Sequence, residues 1–179
     1  FGGQSTTEPV SVAARFSSIY ADAVPPKISF PVEEFARHIP VPVITDEGQY
    51  SVQYVLDGNE TALDDITIPE GAHRLQIIAT DESGNTSAET FEFTIDRTAP
   101  KIQVMSPLNG TKVSDLTVSY SVQDANIGGV SVTLPNGTTL QNATSVRIPG
   151  DDIGLGLHQI TVLATDLAGN QAEQTILFD

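Results

Sequence analysis

The feature that most constrains this 179-residue chain is an internal repeat. The stretch Gly71–Asn85 matches Gly156–Asn170 at a constant offset of 85 residues. Near the start of each copy, Pro26–Phe30 is matched by Pro100–Val104. Similarity that recurs along one chain indicates a duplicated structural unit. We therefore predict two copies of one domain.

Each copy is long enough to fold but too short for a large core. Units of about 75–80 residues lie near the lower size at which a hydrophobic core is stable without crosslinks. The predicted division is an N-terminal extension at residues 1–25, domain 1 at 26–98 and domain 2 at 99–179.

Composition and periodicity predict strands rather than helices. Val, Ile, Thr, Gly, Pro and Asn are plentiful, which is the balance of a β protein. In Leu116–Val122, apolar and polar residues alternate with period two, as in a strand with one buried face. Similar runs predict seven short strands in domain 2 and, in domain 1, a strand at residues 65–68 among others. Pro135–Thr138 reads as a hairpin turn of the two-residue type.

Charge and residue types exclude several classes of protein. The chain has 23 Asp and Glu against 8 Lys and Arg, a formal net charge of −15, which repels nucleic-acid phosphates. We therefore expect no nucleic-acid partner. Cysteine is absent, so neither disulfides nor a thiolate metal site can form. No run of about 18 apolar residues occurs, so no membrane span is expected.

Two motifs carry a resemblance to a known family. A predicted strand ends in Ala79-Thr80-Asp81 and is followed by the turn Gly84-Asn85, and Asp96–Pro100 reads Asp-x-Thr-Ala-Pro. Over residues 26–179 the chain resembles the bacterial and archaeal Ig-like domains of surface-layer proteins, adhesins and secreted enzymes. The resemblance implies an all-β fold of two tandem Ig-like β-sandwich domains, to which the N-terminal extension adds an extra strand. The short linker, stiffened by proline, predicts a rod with a limited hinge.

The resemblance also carries expectations about function. Domains of this kind act mostly as stalks, spacers or assembly modules, and some bind calcium or sugars. It therefore implies an extracellular position at the cell surface and a structural role.

The asparagines form a pattern that bears on location. The residues that begin Asn-x-Ser/Thr sequons are Asn59, Asn85, Asn109, Asn136 and Asn142. N-linked glycans there would make this an extracytoplasmic glycoprotein of an archaeon or a eukaryote, and the family resemblance favours an archaeon. The alternative is turn formation, because Asn-Gly-Thr is common in β-hairpins.

No group of residues indicates catalysis. His73 and His158 start the same predicted strand in each copy, where a hydrogen bond that closes the preceding loop is the expected role. Neither they nor His38 fit a Ser-His-Asp pattern, and acidic pairs such as Asp151-Asp152 fall in polar loops. We therefore expect a protein without enzyme activity.

Aspartates near the predicted strand ends are calcium candidates. Calcium takes six to eight oxygen ligands, which loops at one end of a sandwich can pool. The candidate ligands are Asp46, Asp81, Asp96, Asp124 and Asp166, with Glu47, Glu82 and Asn126 beside them. The alternative for Asp81 and Asp166 is that each caps its own turn through hydrogen bonds to the backbone.

The N-terminal extension contains a candidate strand at residues 9–17. Its apolar residues alternate and share one face: Val10, Val12, Ala14 and Phe16. The segment can pair within its own chain, or it can add as a donor strand to an open sheet edge of a neighbouring subunit. Strand transfer from head to tail generates an open filament, because nothing forces the assembly to close.

These features lead to a predicted function with two alternatives. The leading prediction is a structural subunit of an extracellular filament, pilus or surface layer that self-associates into a polymer. One alternative is an adhesin-type module that binds a glycan or a host protein through loops around Asp46, Asp124 and Asp151. The other is an Ig-like spacer of a larger secreted protein.

Overall fold

The structure is all-β, as predicted. The computed structural model describes residues 22–31, 34–64, 66–110, 116–149 and 153–179. Within these ranges the chain forms strands and no helix, so it contains no helix able to cross a membrane. The predicted donor strand at residues 9–17 lies outside the described residues.

Seven strands of the described chain form a first structural unit, called unit 1. They are β1 (Lys27–Ser29), β2 (Phe35–Ala36), β3 (Val43–Thr45), β4 (Tyr50–Leu56), β5 (Asn59–Thr61), β6 (Gly71–Asp81) and β7 (Thr86–Ile95). β1 and β3 form one antiparallel sheet, and the second sheet has the order β2-β7-β6-β4-β5. The short pair of β2 and β7 is parallel, and the other pairs are antiparallel.

A further seven strands of the described chain form unit 2. They are β8 (Lys101–Ser106), β9 (Leu116–Gln123), β10 (Ile127–Thr133), β11 (Thr139–Gln141), β12 (Ser145–Ile148), β13 (His158–Asp166) and β14 (Gln171–Phe178). The two sheets, both antiparallel, have the orders β12-β9-β8 and β11-β10-β13-β14. The strand number matches the seven predicted. No sheet of the described residues mixes strands of both units, and the domain boundary at residues 98 and 99 stays a prediction.

The repeated strands β6 and β13 carry the two cores. Every second side chain along them points between the sheets and is fully buried: Leu75, Ile77 and Ala79 in β6, and Ile160, Val162 and Ala164 in β13. Burial of each Leu, Ile or Val side chain stabilises the fold by roughly 1.5–3 kcal/mol. The apolar residues that alternate with period two in these strands are therefore the residues that form the two cores.

One strand predicted in unit 1 does not form. Residues 66–68 carry no strand, whereas the equivalent β12 of unit 2 pairs with β9. The chain that leads into β3 contains Pro40 and Pro42, and proline has no N–H with which to pair a neighbouring strand. β3 is accordingly three residues long, where β9 has eight.

The hairpin turns of the two units also differ. In unit 1, Asp57 and Gly58 join β4 to β5 with φ values of 50° and 83°, typical of a type I′ turn. In unit 2 the prediction of a two-residue turn is wrong: the Leu134 N–H donates to the Thr138 carbonyl oxygen at 2.8 Å, which leaves the three residues 135–137 as the connection between β10 and β11. Pro135 holds its φ negative, so it cannot take the first place of a type I′ turn.

Candidate functional site

Both units contain the same Asp-x-x-x-Asn turn. In unit 2, Asp166 Oδ1 accepts the Asn170 N–H and Asp166 Oδ2 accepts Asn170 Nδ2, both at 2.8 Å. In unit 1, Asn85 makes the same two bonds to Asp81 at the same distances. The predicted alternative role of the two aspartates, capping of their own turns, is confirmed.

The asparagine of each turn also holds the chain that enters its unit. Asn170 Nδ2 donates to the Asp96 carbonyl oxygen at 3.0 Å, and Asn85 Nδ2 donates to the Asp22 carbonyl oxygen at 3.0 Å. We call each set, Asp22-Asp81-Asn85 and Asp96-Asp166-Asn170, an Asp-Asn clasp. The clasp of unit 2 is the more buried, since Asp96 and Asn170 are each 8% exposed.

The turn sets the ionisation of Asp81. Burial by itself raises the pKa of this carboxyl group, but hydrogen bonds from Asn85, Ser83 and Gly84 favour the carboxylate more strongly. The net result is a pKa below the ordinary value. Asp81 is therefore a carboxylate at neutral pH.

The linker between the units is hydrogen-bonded to unit 1 through main chain and side chains. The Asp96 N–H donates to the Ala36 carbonyl oxygen at 3.0 Å, so the linker extends the pairing of β2 with β7. Glu70 accepts from the Arg97 N–H and from the Thr98 hydroxyl, at 2.9 Å each. Nothing in the sequence singled out Glu70, because unit 2 has Gly150 at the matching place after the repeated Ile-Pro.

The Arg97 guanidinium adds two contacts to the same unit. Its Nε donates to the Arg37 carbonyl oxygen and its Nη1 to the Ile68 carbonyl oxygen, both at 3.0 Å. Because Arg37 and Ile68 lie on separate loops, Arg97 fixes two parts of unit 1 against the linker.

Unit 2 holds the other side of the same linker. Asn126 Nδ2 donates to Asp96 Oδ2 at 3.0 Å, beside the bond from Asn170 to the Asp96 carbonyl oxygen. Ala168, in the clasp turn, shares a hollow with His38 and Pro40 of unit 1. Asp96 is therefore bonded to both units.

The aspartates predicted as calcium ligands come together in two clusters. Side-chain oxygens of Asp96, Asp124 and Asp166 lie within 4.8 Å of one another, and those of Asp46 and Asp81 form an equivalent cluster. The cluster of unit 1 contains a third member, Asp22, that sequence reasoning missed. The signal was present, because Asp22 precedes Pro26-Lys27 at the same spacing as Asp96 precedes Pro100-Lys101.

The clusters have the chemistry of a hard-cation site. Three carboxylates at such distances repel one another, and a divalent cation relieves that repulsion. Backbone N–H groups already donate to Asp96, Asp124 and Asp166, and side-chain amides donate to Asp96 and Asp166, yet a carboxylate oxygen has a second lone pair. Calcium binding at these residues stays a prediction.

His73 closes the loop before β6, as predicted. Its Nε2 lies 3.0 Å from the Pro69 carbonyl oxygen and its Nδ1 lies 2.7 Å from Asp57 Oδ2. The main-chain N–H of Arg74 and then the His73 ring hold the pKa of Asp57 below its ordinary value. The β4–β5 turn is thereby attached to β6.

The predicted loop-closing bond is not found at His158. Its ring packs on Phe178 just as that of His73 packs on the equivalent phenylalanine, with centroids 5.8 Å and 5.9 Å apart. His158 Nε2, however, is buried without a hydrogen-bond partner among the described residues. Pro135 stands where unit 1 has Asp57, so this position supplies no carboxylate to the His158 ring.

The sequons are not equivalent in the structure. Four of their asparagines are exposed: Asn59, Asn109, Asn136 and Asn142. Asn85 is half-buried, and its Nδ2 donates to both Asp81 and Asp22. A glycan on that nitrogen would replace one of these hydrogens and break the clasp, so the structure argues against Asn85. At the four exposed asparagines glycosylation stays a prediction.

Two small units, each of two packed sheets and joined by a bonded linker, define the class of tandem Ig-like β-sandwiches. Comparison with known proteins gives the family. This chain belongs to the bacterial Ig-like domains of group 3, whose family model matches residues 58–152. The match begins in the β4–β5 turn of unit 1 and ends in unit 2 after β12.

A curated relative and two solved structures are similar over most of the chain. Bacillopeptidase F of Bacillus subtilis (strain 168) is 31% identical over 117 residues, 64% of this chain and 8% of that protein. Fibronectin(III)-like modules of Clostridium thermocellum CbhA align at a TM-score of 0.55 and 13% identity, over 85% of this chain and 93% of theirs. That likeness supports the fold alone.

The second structure is a Ca²⁺-stabilized adhesin with which an Antarctic bacterium reaches out and binds ice. It aligns at a TM-score of 0.39 and 18% identity, over 89% of this chain and 50% of that one. A similarity of this size carries no argument about function. The chain spans less than a tenth of Bacillopeptidase F, so the activity of that whole protein is not transferred here.

Proposed function

We propose that this chain is a non-catalytic spacer of an extracellular surface or secreted protein, in which the linker holds two Ig-like units in a fixed orientation. One observation carries the proposal: Asp96 is hydrogen-bonded to Ala36 of unit 1 and to Asn126 and Asn170 of unit 2. Membership of the bacterial Ig-like family supports the extracellular position.

The bonds around the linker oppose bending. A flexible linker leaves its polar groups to water, but here side chains of Asp96, Arg97 and Thr98 bond to neighbouring loops. Rotation of one unit against the other would break several of these bonds together. Each costs about 0.5–1.5 kcal/mol, more where a charged group takes part. A spacer with this junction keeps its two units in a fixed relative orientation, and the units do not tumble independently.

A filament subunit is the second candidate function. It is favoured by the edge of β4, which the described strands leave open at Tyr50–Gln53 and to which a donor strand such as Val10–Phe16 of another subunit could add. The adhesin-type alternative remains as predicted from the sequence, with the loops around Asp46, Asp124 and Asp151 as its binding surface. Both alternatives are compatible with a rigid junction.

The distance between the units tests the spacer proposal. The chain has no cysteine, so Glu89→Cys and Glu173→Cys introduce one spin label on each unit. Pulsed electron resonance should give one narrow distance distribution for this doubly labelled chain. Adding Arg97→Ala or Asn170→Ala should broaden it, because either change removes bonds at the linker.

Asn85→Ala is the matched control for the distance measurement. It removes the equivalent clasp bonds in unit 1, away from the junction, and should leave the distribution narrow. A broad distribution in the chain without these junction changes would show a flexible linker and refute the proposal.

A further inference from the structure

Among the described residues, part of the outer edge of β4 in unit 1 has no paired strand and is open. β5 pairs with only the last three residues of β4, and in the described part of the chain no strand continues the pairing past Thr61. Leu56 and Asn59 flank a two-residue turn and therefore exchange hydrogen bonds. Main-chain groups alternate between the two sides of a strand, so Tyr54 and Val52 also direct their N–H and C=O groups to the side of β4 on which β5 lies. β5 ends before it reaches Val52, so the main-chain groups of Val52 have no residue of β5 opposite them.

The corresponding edge of unit 2 is closed. Val130 is the counterpart of Val52, since each lies opposite the alanine of the repeated Ala-Thr-Asp motif. Asn142 donates its N–H to the Val130 carbonyl oxygen at 2.7 Å and accepts the Val130 N–H with Oδ1 at 3.1 Å. The Tyr120 hydroxyl donates to the Ala143 carbonyl oxygen and so ties β9 to the chain after β11.

A groove takes the place of this closure in unit 1. Pro42 stands at the register position of Tyr120 and has no hydroxyl. Between the chain that leads into β3 and the β4–β5 hairpin lies a cavity of about 600 Å³. Ile39, Val52 and Leu63 line it and also pack against the core of unit 1. An open strand edge beside an apolar groove meets both requirements for strand addition, namely main-chain partners and side-chain pockets.

The chain enters unit 1 at one end of this edge. Asn85 holds the Asp22 carbonyl oxygen, and a carboxylate oxygen of Asp22 lies within 4.8 Å of one on Asp81, the residue that pairs with Tyr50. Five residues separate Phe16 from Asp22 and can span up to about 17 Å. The open stretch of β4 from Tyr50 onward is roughly 10 Å long. The segment before Phe16 can therefore reach the edge without leaving its own unit.

We propose that Val10–Phe16 runs along the open edge of β4 in the same chain, pairs with the roughly 10 Å of β4 that β5 leaves open, and fills the groove with its remaining residues. The segment leads toward Asp22, and β4 leads away from it, so the added strand is antiparallel to β4. Its apolar face, Val10, Val12, Ala14 and Phe16, covers Val52 and the groove. A tethered segment acts at an effective concentration of order mM, which favours its own edge over that of a second copy.

Hydrogen exchange on the full-length chain tests this assignment, which does not depend on the spacer function. Val12→Asp with Ala14→Asp places two charges on the apolar face of the segment, and Ser11→Asp with Ala13→Asp places the same two charges on the other face. Exchange is read from peptides that cover Tyr50–Tyr54, with peptides of unit 2 as an internal standard of folding. Light scattering after size exclusion gives the oligomeric state.

The expected result is a monomer in which the first pair speeds exchange at Tyr50–Tyr54 by about tenfold or more, while the second pair leaves it unchanged. Equal exchange in the unchanged chain and both variants would show that no strand covers the edge. Protection that disappears as an oligomer dissociates on dilution would assign the edge to the segment of a second copy. Either of the last two results overturns the proposal.

Discussion

At the scale of single residues, Gly128 shows how closely two backbones approach beside the junction. The register of β10 on β13 shifts between Ile127 and Gly129, which leaves Gly128 as the extra residue of a β-bulge. A Cβ atom on Gly128 would lie 2.8 Å from the carbonyl oxygen of Asp166, in the clasp of unit 2. The bulge accommodates only glycine, because a Cβ atom has no room there. The backbone of Gly128 does not have the positive φ that would by itself favour glycine.

Gly128→Ala should destabilise unit 2 by about 1–3 kcal/mol, because the obstructing atom is backbone and cannot swing aside. Gly129→Ala is the matched control, since its Cβ would meet nothing nearer than Asn142 Oδ1 at 3.8 Å. Urea unfolding followed by circular dichroism measures both. Equal effects of the two substitutions would contradict the close approach.

At the scale of elements, the β4–β5 hairpin is held to β6 by one carboxylate. Asp57 in the turn accepts the Arg74 N–H at 2.9 Å and contacts His73 at 2.7 Å. Glu34 and Glu92 line the same hollow. The equivalent turn of unit 2 is longer and carries Pro135 in place of Asp57, so it cannot form this clamp.

The clamp predicts a pH dependence for unit 1. Because the fold lowers the pKa of Asp57, the ionised clamp contributes stability above the ordinary value of about 3.9, and this is lost as pH falls through the lowered pKa. The side chain is 45% exposed, so solvent screening limits the contribution to about 0.5–1 kcal/mol. Asp57→Asn keeps the type I′ turn and removes the charge.

Chemical unfolding of the chain with and without Asp57→Asn between about pH 5.5 and pH 2.5 measures the clamp. The unchanged chain should be the more stable at the upper end, and the difference should shrink as pH falls. A difference that is constant with pH would mean that the charge of Asp57 contributes nothing.

At the scale of the whole molecule, negative charge is concentrated at equivalent ends of the two units. The net charge is −15, and the two clusters place Asp22, Asp46 and Asp81 together, and likewise their counterparts at the junction. Compact acidic clusters destabilise a fold through repulsion unless donors or cations offset them. The amide donors of the clasps supply part of that offset.

Calcium should therefore raise the melting temperature, and a chelator should reverse the rise. At free calcium a hundredfold above its dissociation constant, one site adds about 2.7 kcal/mol. Asp124→Asn alters only the cluster at the junction and Asp46→Asn only the cluster of unit 1, so the two substitutions test the clusters one at a time. Asp64→Asn is the control, because Asp64 is exposed and belongs to neither cluster. Calorimetric scans with calcium, magnesium and chelator measure the effect. An identical melting temperature in all three would exclude a calcium site.

Much of the fold follows from local pattern. Alternation along Gly71–Asp81 and its repeat predicts strands with one buried face, and both strands form as expected. The constant offset placed Asp81 with Asp166 and His73 with His158 at equivalent positions. The sequence could not show that residues 66–68 stay outside a sheet, because that depends on Pro40 and Pro42 of a different segment.

By itself the sequence determined the class of fold, the duplication and the residue types at each strand end, because period-two burial and turn chemistry act between near neighbours. Only the tertiary structure decided that Asp22 completes a cluster, that Glu70 and Arg97 fasten the linker, and that the described strands leave part of the β4 edge unpaired. These features join residues that are far apart along the chain, and they arise only once the sheets have packed and set the distances between loops.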